Sequence, residues 1–287
     1  MIPYCDVMAP LIEIDALPRL RDPVMVVVLS GWVDAGMAGA GAMAVLTEQL
    51  ESQQSFGRID LADLLDLQQT RPTVRLNDGA TREVVWPSID LIAGTLGRDV
   101  VLVNGPEPSL RWQAVLGELT ELATSLGVTR AFTLGGIPSV ASHRRAVHVL
   151  ATGTDADLVA EIGGWRSDYE GPGGAASVLQ VMLGGAGVPT VALWAQVPHD
   201  VAGGPSPIAI RAVLARLRDL GGVQVDLTAL DEQTQAYLQR VDAGLSDRPD
   251  VAEVVRAIEA DAGDDDPPLP SGDELASEIE RFLRDQS

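Results

Sequence analysis

The segment Val24-Met25-Val26-Val27-Val28-Leu29, mostly β-branched and ending at Ser30-Gly31, constrains this chain most. A run that is apolar at odd and even positions alike has no polar side, so it must be buried on both faces, as in the parallel sheets of α/β folds. Comparable runs recur at Val100-Val101-Leu102-Val103, Ala131-Phe132-Thr133-Leu134, Val147-His148-Val149-Leu150 and Thr190-Val191-Ala192-Leu193-Trp194. Helical patterns lie between several of them. One begins at Pro108 and repeats through Leu110, Val115, Leu119, Leu122 and Leu126 before Gly127, close to the 3.6-residue period, with proline in the favoured first turn. Others run from Gly36 to Gln53, Gly173 to Leu183 and Pro207 to Leu220. This alternation predicts a doubly wound sheet covered by helices on both sides.

One stretch departs from the pattern. Thr73-Val74-Arg75-Leu76, the turn signal Asn77-Asp78-Gly79 and Thr81-Arg82-Glu83-Val84-Val85-Trp86 read as a β-hairpin inserted over about 73–86. It either extends the sheet edge or reaches outward, where its apolar side needs another subunit to cover it. After Gly221-Gly222 the pattern turns to more polar helices at Leu227 to Ala243, Val251 to Ala260 and Asp273 to Arg284, with the acidic link Asp264-Asp265-Asp266-Pro267-Pro268 before the last. Leu275, Ile279, Phe282 and Leu283 form a narrow apolar stripe, and Ser271 and Glu274 have capping-box spacing. The expected organisation is an α/β domain over 1–222 and a C-terminal helical region over 223–287, a lid in outline.

With 287 residues, 46% of them hydrophobic, the chain can bury a sizeable core. Its net charge of -21 opposes attraction to phosphate backbones or anionic membrane surfaces, so neither nucleic acid nor membrane is expected as a partner. All 20 basic residues are arginine. With no lysine, mechanisms needing an ε-amine fall away, including the phosphate-loop lysine and the Schiff base. Cys5 has no disulfide partner, and the first twenty residues lack the basic start of a signal peptide. No apolar run approaches the ~20 residues of a membrane span. The expected location is the cytoplasm. No metal-ligand spacing, His-Glu-x-x-His or Gly-x-Ser-x-Gly elbow occurs, and no cofactor is expected.

Ligands of open α/β sheets collect beyond the carboxyl ends of the strands. The junctions there are Gly31-Trp32-Val33-Asp34-Ala35-Gly36, Gly105-Pro106-Glu107-Pro108-Ser109-Leu110-Arg111-Trp112, Leu134-Gly135-Gly136-Ile137-Pro138 and Trp194-Ala195-Gln196-Val197-Pro198-His199, with Tyr169-Glu170-Gly171-Pro172-Gly173 preceding a helix. These five blocks, in this order over roughly residues 24 to 220, resemble the PAC2 family of proteasome-assembly-chaperone-like proteins. The resemblance implies a three-layer α/β/α core akin to that of nucleoside phosphorylases and peptidyl-tRNA hydrolases. It also implies a homo-oligomer, with a trimer favoured, and C-terminal helices over a ligand cleft. Family members that assemble proteasome α-subunits include some ending in a hydrophobic-Tyr-any docking tail. This chain ends Asp285-Gln286-Ser287, which argues against proteasome subunits as partners by that route. Where the family shows His-Thr-Arg-Pro, this chain has His143-Arg144-Arg145 after Ser142, and loss of the proline is expected to reshape the loop.

The candidate ligand-binding residues are Asp34, Glu107, Arg111, His143, Arg144, His199, Gly135, Gly136, Gly171 and Gly173. Each has a structural alternative. Asp34 either binds a metal or polarises a ligand, or else caps the following helix. Glu107 and Arg111 either form an ion pair or face the cleft, where Glu107 accepts a ribose hydroxyl or acts as a base and Arg111 or Arg144 holds an anion. His143 and His199 share a cleft if their loops converge, whereas His148 sits within a β run. The glycines either cradle an anion on backbone N–H groups or permit tight turns. Two functional readings stand: a non-catalytic assembly or ligand-binding protein, and an enzyme acting on a nucleoside-like or other small anionic ligand.

Overall fold

A computed structural model describes residues 10–246 and 271–285. Cys5, the helix expected over 251–260 and the acidic link at 264–268 lie outside the described residues. The strands are β1 (Ile12–Ile14), β2 (Val24–Ser30), β3 (Glu51–Asp60), β4 (Thr73–Asn77), β5 (Thr81–Val85), β6 (Ser88–Thr95), β7 (Asp99–Pro106), β8 (Arg130–Ser139), β9 (Val149–Gly153) and β10 (Thr190–Pro198). The helices are α1 (Ala38–Gln49), α2 (Trp112–Ser125), α3 (Ala156–Glu161), α4 (Ala175–Gly185), α5 (Pro207–Gly221), α6 (Thr228–Ser246) and α7 (Gly272–Asp285).

Eight strands form one sheet in the order β1-β3-β6-β7-β2-β8-β10-β9. Its centre, β7-β2-β8-β10, is parallel; β9 and the β6-β3-β1 wing are antiparallel. The valine run of β2 lies in the middle and divides by parity. Val24, Val26 and Val28 enter the core beneath α1 and α5, while Met25 and Val27 enter the core beneath α2 and α4. Successive strand side chains point to opposite faces, so one uninterrupted apolar strand supplies both halves of a three-layer α/β/α core. The C-terminal segment shares the first of these cores through Leu227, just before α6, Leu230 of α6, and Leu275, Ile279 and Phe282 of α7.

The sheet is less parallel than the sequence implies. β3 is a polar strand whose first five residues are exposed, so it carries no hydrophobic signature. The helix expected through Gln53 instead stops at Gln49, where Leu50 turns extended and β3 begins. The helix expected from Pro108 starts at Trp112, because Arg111 adopts a left-handed conformation with φ of 58°. Pro108 stays outside it, its carbonyl accepting the Trp112 indole N–H.

The hairpin β4–β5 pairs with itself as a separate two-stranded sheet. Asp78 and Gly79 both have positive φ, as its tight turn requires. Register places Val74 opposite Val84 and Leu76 opposite Arg82. With side chains alternating, Val74, Leu76, Val84 and the following Trp86 share one face. Val74 is 59%, Leu76 61% and Trp86 50% exposed.

Candidate functional site

The loop leaving β2 carries Asp34. Its Oδ1 accepts the Gly39 N–H at 2.8 Å and the Gly136 N–H at 3.0 Å, and Oδ2 accepts the Ala40 N–H at 3.0 Å. One carboxylate thus closes the first turn of α1 and ties it to β8. Burial pushes the Asp34 carboxyl above its ordinary value, against the opposing pull of these backbone N–H groups. Gly136 is required by close approach, since a Cβ there would stand 2.1 Å from the Ala35 carbonyl oxygen. Gly135 lies under Trp194, whose ring would be 2.6 Å from an added Cβ.

Glu107 leaves β7 with its N–H on the Ser30 carbonyl, and its Oε2 accepts the Ala175 N–H at 2.8 Å. This carboxylate occupies the N-terminus of α4, where helix N–H groups favour an anion. The glycine-rich opening of α4 therefore meets an anion supplied by the chain itself. Burial pushes the Glu107 carboxyl up, with the Ala175 hydrogen bond opposing. Gly174 has no room for a side chain, because a Cβ would come within 2.8 Å of the Trp32 ring and 3.2 Å of Glu107 Oε2. Arg111 sits exposed at the break before α2, its carbonyl accepting the Ala114 and Val115 N–H groups.

His143 and His199 are engaged by different C-terminal helices. His143, 3% exposed, places Nε2 3.1 Å from Asp242 Oδ1 on α6, and Arg144 reaches the same oxygen through Nε at 3.0 Å and Nη2 at 2.9 Å. Hydrogen bonds from His143 and then Arg144 hold the Asp242 carboxyl below its usual value. The other ring nitrogen of His143 is buried with no hydrogen-bond partner among the described residues. His199 Nε2 lies against the Glu278 carboxylate of α7, with Arg281 Nη2 2.8 Å from the same nitrogen. Burial raises the Glu278 carboxyl, but the bonds to His199 and Arg281 outweigh it and leave it lowered. α7 is further fixed by the Gly272 N–H on Asp168 Oδ1 and by the Ser271–Glu274 capping box.

Of the predicted residues, Gly171 and Gly173 line a cavity of about 400 Å³ between α4, the segment 165–173 and α7. Gly171 packs beside Tyr169, whose hydroxyl donates to the Pro172 carbonyl at 2.8 Å. Sequence reasoning missed Asp242, Glu278 and Arg281, which hold the two histidines from 79 to 99 residues away; nothing local to either segment signals such a pairing. Among the described residues no group of three or more His, Cys, Asp or Glu side chains converges to hold a metal. None of the described helices is long and apolar enough to cross a membrane.

A comparison with curated protein sequences finds no match. Among solved structures, a PAC2 family protein from Streptomyces avermitilis is 41% identical with TM-score 0.75, covering 82% of this chain and 100% of its own. A proteasome-assembly chaperone homologue from Mycobacterium tuberculosis is 35% identical with TM-score 0.74, covering 81% of this chain and 99% of its own. A M. tuberculosis protein of unknown function, 25% identical with TM-score 0.81, covers 94% of this chain and 96% of its own. The PAC2 family profile matches residues 28–243, from β2 into α6, and together with the 41% identity over 82% of the chain it means that the chain belongs to the PAC2 family.

Proposed function

We propose that this chain is a non-catalytic, assembly-chaperone-like protein that works in the cytoplasm by presenting protein-binding surfaces as a homotrimer. The observation that carries the reading is the hairpin β4–β5, which exposes Val74, Leu76, Val84 and Trp86 on one face. Exposed apolar side chains gathered on one face in this way mark an interaction surface. A second copy is its first occupant in this reading, and the remaining surface is left to a protein partner, with proteasome subunits the class to test. The M. tuberculosis relative described as a proteasome-assembly chaperone homologue supports that choice.

The polar residues support binding over catalysis. The Asp34 and Glu107 carboxylates take backbone N–H groups, and His143 and His199 are bound to carboxylates of α6 and α7. A general acid or base needs a route to substrate, and these side chains bind the fold to itself. In this reading residues 1–222 form the α/β unit and residues 223–287 its C-terminal cover.

Sedimentation of wild type and of Leu76→Ser/Trp86→Ser tests the oligomer. Wild type is expected as a trimer and the variant as a monomer with unchanged far-UV circular dichroism; a monomeric wild type refutes the hairpin's role. Assembly of purified proteasome α-subunits with and without the protein tests the partner class. An unchanged assembly rate removes the proteasome from the reading.

A further inference from the structure

The cavity between α4, the segment 165–173 and α7 is walled mainly by aromatic and aliphatic side chains. From its lining we infer that it binds an uncharged, planar aromatic small molecule, stacked among indole rings. Its volume of about 400 Å³ falls in the usual range of roughly 300–1,000 Å³ for small-molecule sites. Three of the chain's five tryptophans, Trp32, Trp165 and Trp194, meet there beside Tyr169. In a chain with only 4% aromatic residues, that convergence from three distant segments selects for ring stacking.

No charged side chain lines the cavity among the described residues. Neighbouring carboxylates are committed elsewhere, Glu107 to the Ala175 N–H, Asp168 to the Gly272 N–H and Glu278 to His199 and Arg281. An anionic ligand entering these walls would lose its hydration and gain no counter-charge, so the chemistry disfavours nucleotides and phosphates. A neutral ring carries no such penalty.

Gln180 supplies a polar handle. Its Nε2 faces two acceptors, the carbonyl oxygens of Thr152 at 3.3 Å and Thr190 at 3.4 Å. Two carbonyl partners fix which end of the amide is nitrogen, so a ligand that meets the Gln180 amide would find Oε1 as an acceptor for its N–H. The rings are also pre-set, since Gly135 lets Trp194 lie against the β8 backbone. Leu275 and Ile279 of α7 complete the wall from the chain's own C-terminal helix. A macromolecular segment would have to displace that helix, whereas a small molecule can enter by the rim, where Val181 is 73% exposed.

The inference does not depend on the proposed protein partner, and its test uses the purified full chain alone. Calorimetric titration compares neutral probes (2-quinolinone, benzamide and adenine) with their anionic relatives quinoline-2-carboxylate, benzoate and AMP. At least one neutral probe is expected to bind once per chain with Kd at or below about 1 mM, its anionic relative at least about tenfold more weakly. Ser177→Trp, which fills the cavity from the half-buried face of α4, should weaken the neutral probe by at least about tenfold while keeping the wild-type melting temperature. Should that variant misfold, Val181→Trp at the exposed rim serves instead. Equal or tighter binding of the anions, undiminished binding by the filled variant, or no binding by any neutral probe overturns the assignment.

Discussion

Replacing Asp34 with alanine should destabilise the protein without touching any reactive group. The carboxylate accepts N–H groups from Gly39, Ala40 and Gly136. Losing a helix cap costs about 1 kcal/mol. Leaving the buried Gly136 N–H without a partner costs about 1–3 kcal/mol more. Removing a charge that burial disfavours offsets part of this, so the net expectation is about 2–3 kcal/mol. For a chain of this size that lowers the melting temperature by roughly 4–12 °C. Asp34→Asn keeps one acceptor but turns an NH2 group toward a donor, and should fall between wild type and alanine. The pH dependence provides a second check. A carboxyl whose folded pKa is raised above its unfolded value binds more protons in the native state, so its contribution is fullest below the unfolded pKa and declines as pH rises through the folded pKa. Asparagine should flatten that decline. Urea unfolding followed by far-UV circular dichroism measures both effects. An alanine variant within about 0.5 kcal/mol of wild type would refute the assignment of Asp34 as the strut between α1 and β8.

Two further substitutions probe the other carboxylates. Glu107→Gln keeps an oxygen for the Ala175 N–H and removes a charge that burial disfavours; because the raised pKa makes wild-type stability fall as pH climbs above the usual carboxylate range, the variant should show a shallower fall in urea midpoint from pH ~4.5 to ~8, and a steeper one would contradict the argument. Asp242→Ala releases His143 and Arg144 from α6, so hydrogen exchange in the second half of α6 should quicken at neutral pH, and global stability should fall by about 1–3 kcal/mol because Nε2 of the buried His143 is left without a partner. Since the Asp242 carboxyl is held below its ordinary value, wild type should approach the variant's exchange only as pH falls through that lowered pKa; unchanged protection in the variant would show that the contact does not hold α6.

The sequence by itself determined the architecture wherever the signal is local. The all-apolar β2 run dictates a strand covered on both faces, Asp78-Gly79 dictates a turn with two positive φ angles, and the Ser271–Glu274 spacing dictates a capped helix with an apolar stripe. Each depends on periodicity or turn chemistry within a few residues, which survives without knowledge of the fold. β3 escaped because its exposed first half is polar, and its strand character comes from antiparallel pairing with β6. The break at Arg111 escaped because the 3.6-residue pattern runs through it. The site belongs to the tertiary structure almost entirely. Asp34 and Glu107 were legible as polar residues at strand ends, but whether such a carboxylate faces a ligand or a backbone N–H depends on what the chain brings beside it. Only folding places Gly136 against Asp34, Ala175 against Glu107 and Asp242 against His143. The same holds for Trp32, Trp165 and Trp194 around one cavity, because a side chain's partners are set by where distant segments cross, and no local period encodes that crossing.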